Sequence, residues 1–113
     1  MGLQRTMDLV LTGREVDAKT LCDWGVVSRL VDEAGDVRVE AVKVAEEMCR
    51  NSPDALIVGR MGVRKSWEDG SVEGAVTALD KEWYPRLMAG ANFAEGIQAF
   101  VEKRPTKWLD SKL

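Results

Sequence analysis

Apolar side chains recur every three or four positions along most of this 113-residue chain, the spacing that lines one face of an α-helix. Leu3, Met7, Val10 and Leu11 set the first such face over residues 3–12, and Gly13 follows as a natural C-terminal stop. Asp17 is a good N-cap for a short helix running through Trp24 and closed by Gly25. The β-branched run Val26-Val27-Ser28-Arg29-Leu30-Val31 breaks the pattern and predicts one short strand. From Asp36 to about Arg50, Val37, Ala41, Val44, Ala45 and Met48 form a stripe opposite a charged face.

The second half repeats the theme. In Asn51-Ser52-Pro53-Asp54, Ser52 can cap, Pro53 suits the first helical position, and Asp54 favours the positive end of the dipole. The helix that follows carries Gly59 and Gly62 on one side with Ala55 and Ser66. Each interior glycine costs about 1 kcal/mol against alanine, so either another backbone approaches closely there or the helix is broken. Residues 71–89 read as the longest helix, with Pro85 kinking it or ending it early. Asn92-Phe93-Ala94-Glu95 resembles a capping box. Phe93, Ile97, Phe100 and Val101 then form a narrow stripe, and Pro105 ends the regular structure.

Composition narrows function mainly by exclusion. Sixteen Lys and Arg against nineteen Asp and Glu give a net charge of −3, without the concentrated basic face that a nucleic-acid partner needs. No apolar run approaches the roughly 20 residues of a membrane span. Cys22 and Cys49 lack C-x-x-C spacing and read as small buried hydrophobes. Histidine is absent, which removes Ser-His-Asp and Cys-His schemes and the common zinc sites. Glu95 reads as a capping residue, and Asp8, Glu68 and Asp69 have no partner at suggestive spacing, so no catalytic residue and no metal ligand is assigned.

The terminal Ser111-Lys112-Leu113 is a different kind of signal. A C-terminal S-K-L is an address read by the peroxisomal import receptor. It predicts a peroxisomal location and directs attention to acyl-CoA chemistry.

Several segments together carry a family resemblance. Met7-Asp8-Leu9-Val10-Leu11-Thr12-Gly13-Arg14 resembles the M-x-L-x-L-T-G-R stretch of the enoyl-CoA hydratase/isomerase (crotonase) superfamily. Trp24-Gly25-Val26-Val27 through Val31, and Asn51-Ser52-Pro53-Asp54-Ala55-Leu56, are similar to later passages of that family. Glu95-Gly96-Ile97-Gln98-Ala99-Phe100-Val101-Glu102-Lys103-Arg104-Pro105 matches its E-G-x-x-A-F-x-E-K-R ending. Each match is weak; their order is what makes the set specific.

The resemblance implies a mostly α fold with one short strand, the C-terminal helical part of a crotonase-like ββα spiral. Residues 1–110 would form the lid and trimerisation helices, and residues 111–113 the address. The oxyanion hole and catalytic carboxylates would then precede Met1, leaving this chain alone inactive. The implied reaction is hydration, or double-bond shift, of a 2-enoyl-CoA in fatty acyl-CoA metabolism, with acyl-CoA as substrate and no metal or redox cofactor. The implied partners are further copies of the chain, as trimers or hexamers, and the import receptor. Phe100 and Lys103 would lie near the CoA adenine and its phosphate. On the residues alone, Phe100 belongs to a packed stripe and Lys103 to solvent. A separate reading is a complete, non-catalytic helical module that binds CoA or crotonase-type subunits.

Overall fold

Local capping decides where most of the helices begin and end. The computed structural model describes residues 1–32, 35–68 and 70–113, so Asp69 lies outside the described residues. Two compact units are present, residues 1–43 and 44–113.

In the first unit, α1 (Leu3–Thr12) stops where Gly13 turns into the left-handed region at φ 61° and donates its N–H to the Leu9 carbonyl. Helix α2 (Ala18–Asp23) starts at Asp17, whose carboxylate accepts from the Thr20 N–H at 2.7 Å and the Thr20 hydroxyl at 3.0 Å. Those bonds hold the Asp17 carboxyl below its usual range. Trp24 receives two guanidinium groups, Arg5 at 5.0 Å and Arg14 at 5.5 Å from the ring centroid. Arg14 also grips Asp8 at 2.7 Å, which ties the segment after α1 back onto that helix.

The expected strand over residues 26–31 does not form. Val26 and Val27 both donate their N–H groups to the Leu21 carbonyl, so they close the end of α2 as a turn. No strand exists among the described residues to pair with this run, and a strand without a partner leaves its backbone groups unsatisfied.

The boundary between the units falls within α3 (Val37–Cys49). In the second unit, α4 (Pro53–Glu68) starts on Ser52, whose hydroxyl accepts from the Ala55 N–H at 3.4 Å. Helix α4 runs unbroken through both glycines. A Cβ at Gly62 would sit 3.0 Å from Leu79 Cδ1, whereas Gly59 faces open space. The close approach expected on this side is therefore by a side chain, at one glycine only.

The long helix expected over residues 71–89 is divided into α5 (Val72–Ala78), a π-helical turn (Leu79–Trp83) and α6 (Tyr84–Ala89). Pro85 has no N–H to offer the preceding turn, and the widened i→i−5 bond from Tyr84 N–H to the Leu79 carbonyl absorbs the mismatch. Helix α4 packs against α5, the π turn, α6 and α7 (Ala91–Glu102).

The core is small. Val58, Ala75 and Ala99 are the buried apolar residues among those described, while Leu3, Val10, Leu11, Trp67, Phe100 and Val101 are exposed; of the two cysteines expected to be buried, Cys22 is half-buried and Cys49 exposed. Two separate compact bodies of these lengths would expose roughly 7,400 Å² on the size scaling of folded monomers. The chain exposes 9080 Å². Its apolar stripes stand in solvent. No helix among the described residues is long and apolar enough to cross a membrane.

Candidate functional site

The most ordered polar arrangement lies where the N-termini of α4 and α7 meet the C-terminal tail. Asp54, in the first turn of α4, is 4% exposed, and Asn92, in the first turn of α7, is 3% exposed. The Asn92 amide donates to Asp54 Oδ2 at 3.1 Å and to the Leu109 carbonyl at 2.9 Å, and its oxygen accepts from the Leu109 N–H at 2.8 Å. Asp54 Oδ1 is buried without a hydrogen-bond partner among the described residues. Asn92 is thus not the N-cap that the capping-box pattern suggests. Gly90 holds the N-cap position, and the amide points across to the tail instead of back along its own helix.

Glu95 departs from the capping role as well. Its carboxylate takes a two-pronged grip from Arg104, at 2.7 and 2.9 Å, and accepts from the Lys107 N–H at 2.7 Å. The Arg104 guanidinium first, and the Lys107 N–H second, hold its carboxyl down to about 2. Its electrostatics favour a permanently charged strut over a proton carrier. Trp108 completes the strap: its indole N–H donates to the Arg50 carbonyl at 3.0 Å. A Cβ on Gly96 would lie 3.3 Å from the Trp108 ring, so glycine lets the indole lie close to α7.

Beyond Leu109 the chain borders a cavity of 480 Å³, whose walls include Asp54, Arg86, Gly90, Asp110, Lys112 and Leu113. Ser111 and Leu113 are half-buried, and the Leu113 N–H donates to the Ser111 hydroxyl at 3.2 Å.

Phe100 and Lys103 occupy the other end of α7. The Phe100 ring is 85% exposed, so it is not part of a packed core within this chain. Lys103 closes the helix in the left-handed conformation at φ 53°, and its ammonium makes no ion pair among the described residues. The remaining carboxylates singled out from the sequence form surface pairs: Asp8 with Arg14, and Glu68 with Arg64 and Lys65. Sequence reasoning missed the Asp54–Asn92–Leu109 junction because its members are 17 and 38 positions apart.

The comparisons with known proteins agree with this helical arrangement. A family model for enoyl-CoA hydratase/isomerase matches residues 1–111. The chain is 45% identical over its full length to a mevalonyl-coenzyme A hydratase of Aspergillus fumigatus, covering 42% of that protein. It is 41% identical, again over its full length, to a mevalonyl-coenzyme A hydratase of Beauveria bassiana, covering 40% of it. A probable enoyl-CoA hydratase of Mycobacterium bovis is 33% identical over 92% of the chain and 39% of the relative. The chain spans about two fifths of the length of these curated relatives. Among solved structures, an enoyl-CoA hydratase from Polaromonas sp. JS666 superimposes with a TM-score of 0.79 at 24% identity, over 96% of this chain and 41% of that one. With the family model running from the first residue almost to the last, the chain belongs to the enoyl-CoA hydratase/isomerase family.

Proposed function

We propose that this chain is the C-terminal lid-and-assembly portion of a peroxisomal hydratase acting on a CoA thioester. The observation that carries the ligand assignment is at the end of α7. There an almost uncovered aromatic ring, Phe100, stands three residues from Lys103, whose ammonium makes no ion pair among the described residues. Such a pair suits an adenine nucleotide: a ring to stack on the base and a cation for its phosphate.

The two mevalonyl-CoA hydratases among the relatives favour a short, branched 3-hydroxyacyl group over a long fatty chain. In the proposed reaction, water oxygen bonds to the β-carbon of the enoyl thioester and a proton is delivered to the α-carbon. The thioester oxygen carries the enolate charge, and backbone N–H donors in the rest of the protein would stabilise it. Loss of water is the reverse.

The test compares the 113-residue chain with a version extended by a crotonase core, following enoyl thioester absorbance with crotonyl-CoA and with the dehydrated partner of mevalonyl-CoA. The chain alone is expected to be inactive and the extended protein to prefer the branched substrate. Turnover by the 113-residue chain would overturn the placement of the chemistry. Exclusive use of straight-chain substrates would overturn the substrate assignment.

A further inference from the structure

The sequence predicts a polar tail that simply ends in an address, but the structure folds that tail back. Leu109 is fixed by its paired hydrogen bonds to the Asn92 side chain. Four residues remain beyond it, and fully extended they reach at most about 14 Å from the anchor. They are not extended. The Leu113 N–H bonds to the Ser111 hydroxyl, Ser111 and Leu113 are half-buried, and Lys112 and Leu113 form part of the 480 Å³ cavity wall with Asp54, Arg86 and Gly90. Asp54 carries a buried carboxylate oxygen without a hydrogen-bond partner among the described residues, and the exposed Lys112 borders the same cavity.

A receptor that reads three side chains and a free carboxylate must surround all of them. It cannot do so while Leu113 lies half-buried in the wall shared with Asp54, Arg86 and Gly90 and the Ser111 hydroxyl is engaged by the Leu113 N–H. We propose that Ser111–Leu113 is berthed along the wall of this cavity, beside Arg86 and Gly90, and that the import receptor captures only the fraction of molecules in which residues 110–113 have swung out. This rests on reading Ser111–Leu113 as an address. The anchor at Leu109 stays in place in both states, so release is local and does not require α7 to unfold. A ligand that binds only the released state has its affinity reduced by the fraction released. The berth therefore acts as a fixed tax on import, removable by lengthening the tether.

The experiment measures binding to the peptide-binding domain of the import receptor by fluorescence anisotropy. Three ligands are compared: a free peptide of residues 104–113, the 113-residue chain, and the same chain with a Gly-Ser-Gly-Ser spacer between Asp110 and Ser111. The chain is expected to bind about tenfold more weakly than the peptide, and the spacer variant to recover to within about threefold of it. Equal binding by peptide and chain overturns the berth and leaves the address standing. A weakened chain that the spacer does not rescue also overturns it, because the obstruction then lies elsewhere. Failure of the free peptide to bind sinks the address and the berth with it.

Discussion

Replacing Asn92 by alanine should detach the C-terminal tail and cost a large part of the stability of the second unit. Asn92 is 3% exposed, and its side chain hydrogen-bonds to partners far along the chain. The substitution removes three hydrogen bonds at once. Two involve the Leu109 backbone, which can lift into water with the tail, so each is worth about 1 kcal/mol. The third involves Asp54, which sits inside the first turn of α4 and cannot follow. Its Oδ1 already lacks a partner, and the variant orphans Oδ2 as well. A buried acceptor left unsatisfied costs about 1–3 kcal/mol. The expected total is about 3–5 kcal/mol, set against a whole-domain stability of roughly 5–15 kcal/mol. Urea unfolding followed by tryptophan fluorescence measures it, and hydrogen exchange at the Leu109 amide shows whether the tail has lifted. A double-mutant cycle with Asp54→Ala separates the two causes: the pair should couple by about 1–2 kcal/mol, because each single variant strands the other's partner. A cost below about 1 kcal/mol, with Leu109 still protected from exchange, would refute the reasoning.

Other consequences follow from the tail and from α7. Glu95 is held down to about 2 in the folded chain from an ordinary value of 4.5, so its pairing stabilises fully above pH 4.5 and is lost as pH falls from there through 2. The stability difference between the native chain and Glu95→Gln, read from urea midpoints, should therefore shrink steadily from pH 5 to pH 2; a difference that does not change would show that the charge carries no weight. Lys103→Gly should raise stability by about 1 kcal/mol by relieving a left-handed L-residue, while raising KM and leaving kcat nearly unchanged in an active, core-containing protein. Unchanged KM would remove Lys103 from CoA binding. Sedimentation of the purified chain should show self-association, driven by the exposed apolar faces of α1 and α7; a stable monomer would mean those faces tolerate water.

What the sequence made legible was whatever is decided within one turn of a helix. Gly13, Asp17 and Ser52 act as stop and caps because each signal and its partner lie within four residues. Pro85 predicts a kink or an end, and the structure answers with a π turn, since a missing N–H fixes that a ladder must change but not how it is repaired. The errors share one cause. Val26–Val31 has the composition of a strand, yet a strand is a property of a pair, and the described residues supply no second member. Asn92 and Glu95 have the spacing of a capping box, yet both side chains found stronger partners in the tail, Leu109 and Arg104. Local spacing ranks only local options and is silent about a competitor 9 or 17 positions away.

The two ends of α7 differ in what they meet. At its N-terminus Asn92 is buried and Gly90 is closely approached, with Asp54 Oδ2 3.1 Å from where a Cβ would lie. At its C-terminus Phe100 and Val101 stand in solvent and Lys103 holds a left-handed turn without a glycine. An L-residue in that conformation costs about 1–2 kcal/mol, and an uncovered phenyl ring forgoes roughly 1.5–3 kcal/mol of burial. No ion pair of Lys103 among the described residues offsets the first cost, and Phe100, 85% exposed, leaves most of the second unmet. A helix anchored rigidly at one end and left unfavourable at the other is what a surface built to meet a ligand or a second subunit requires. The anchoring keeps the exposed end in place, so the ordering is largely complete before anything binds. If Asn92→Ala loosened the tail yet left CoA thioester binding by a core-containing protein unaltered, that link between the two ends would fail, and the strap would serve stability alone.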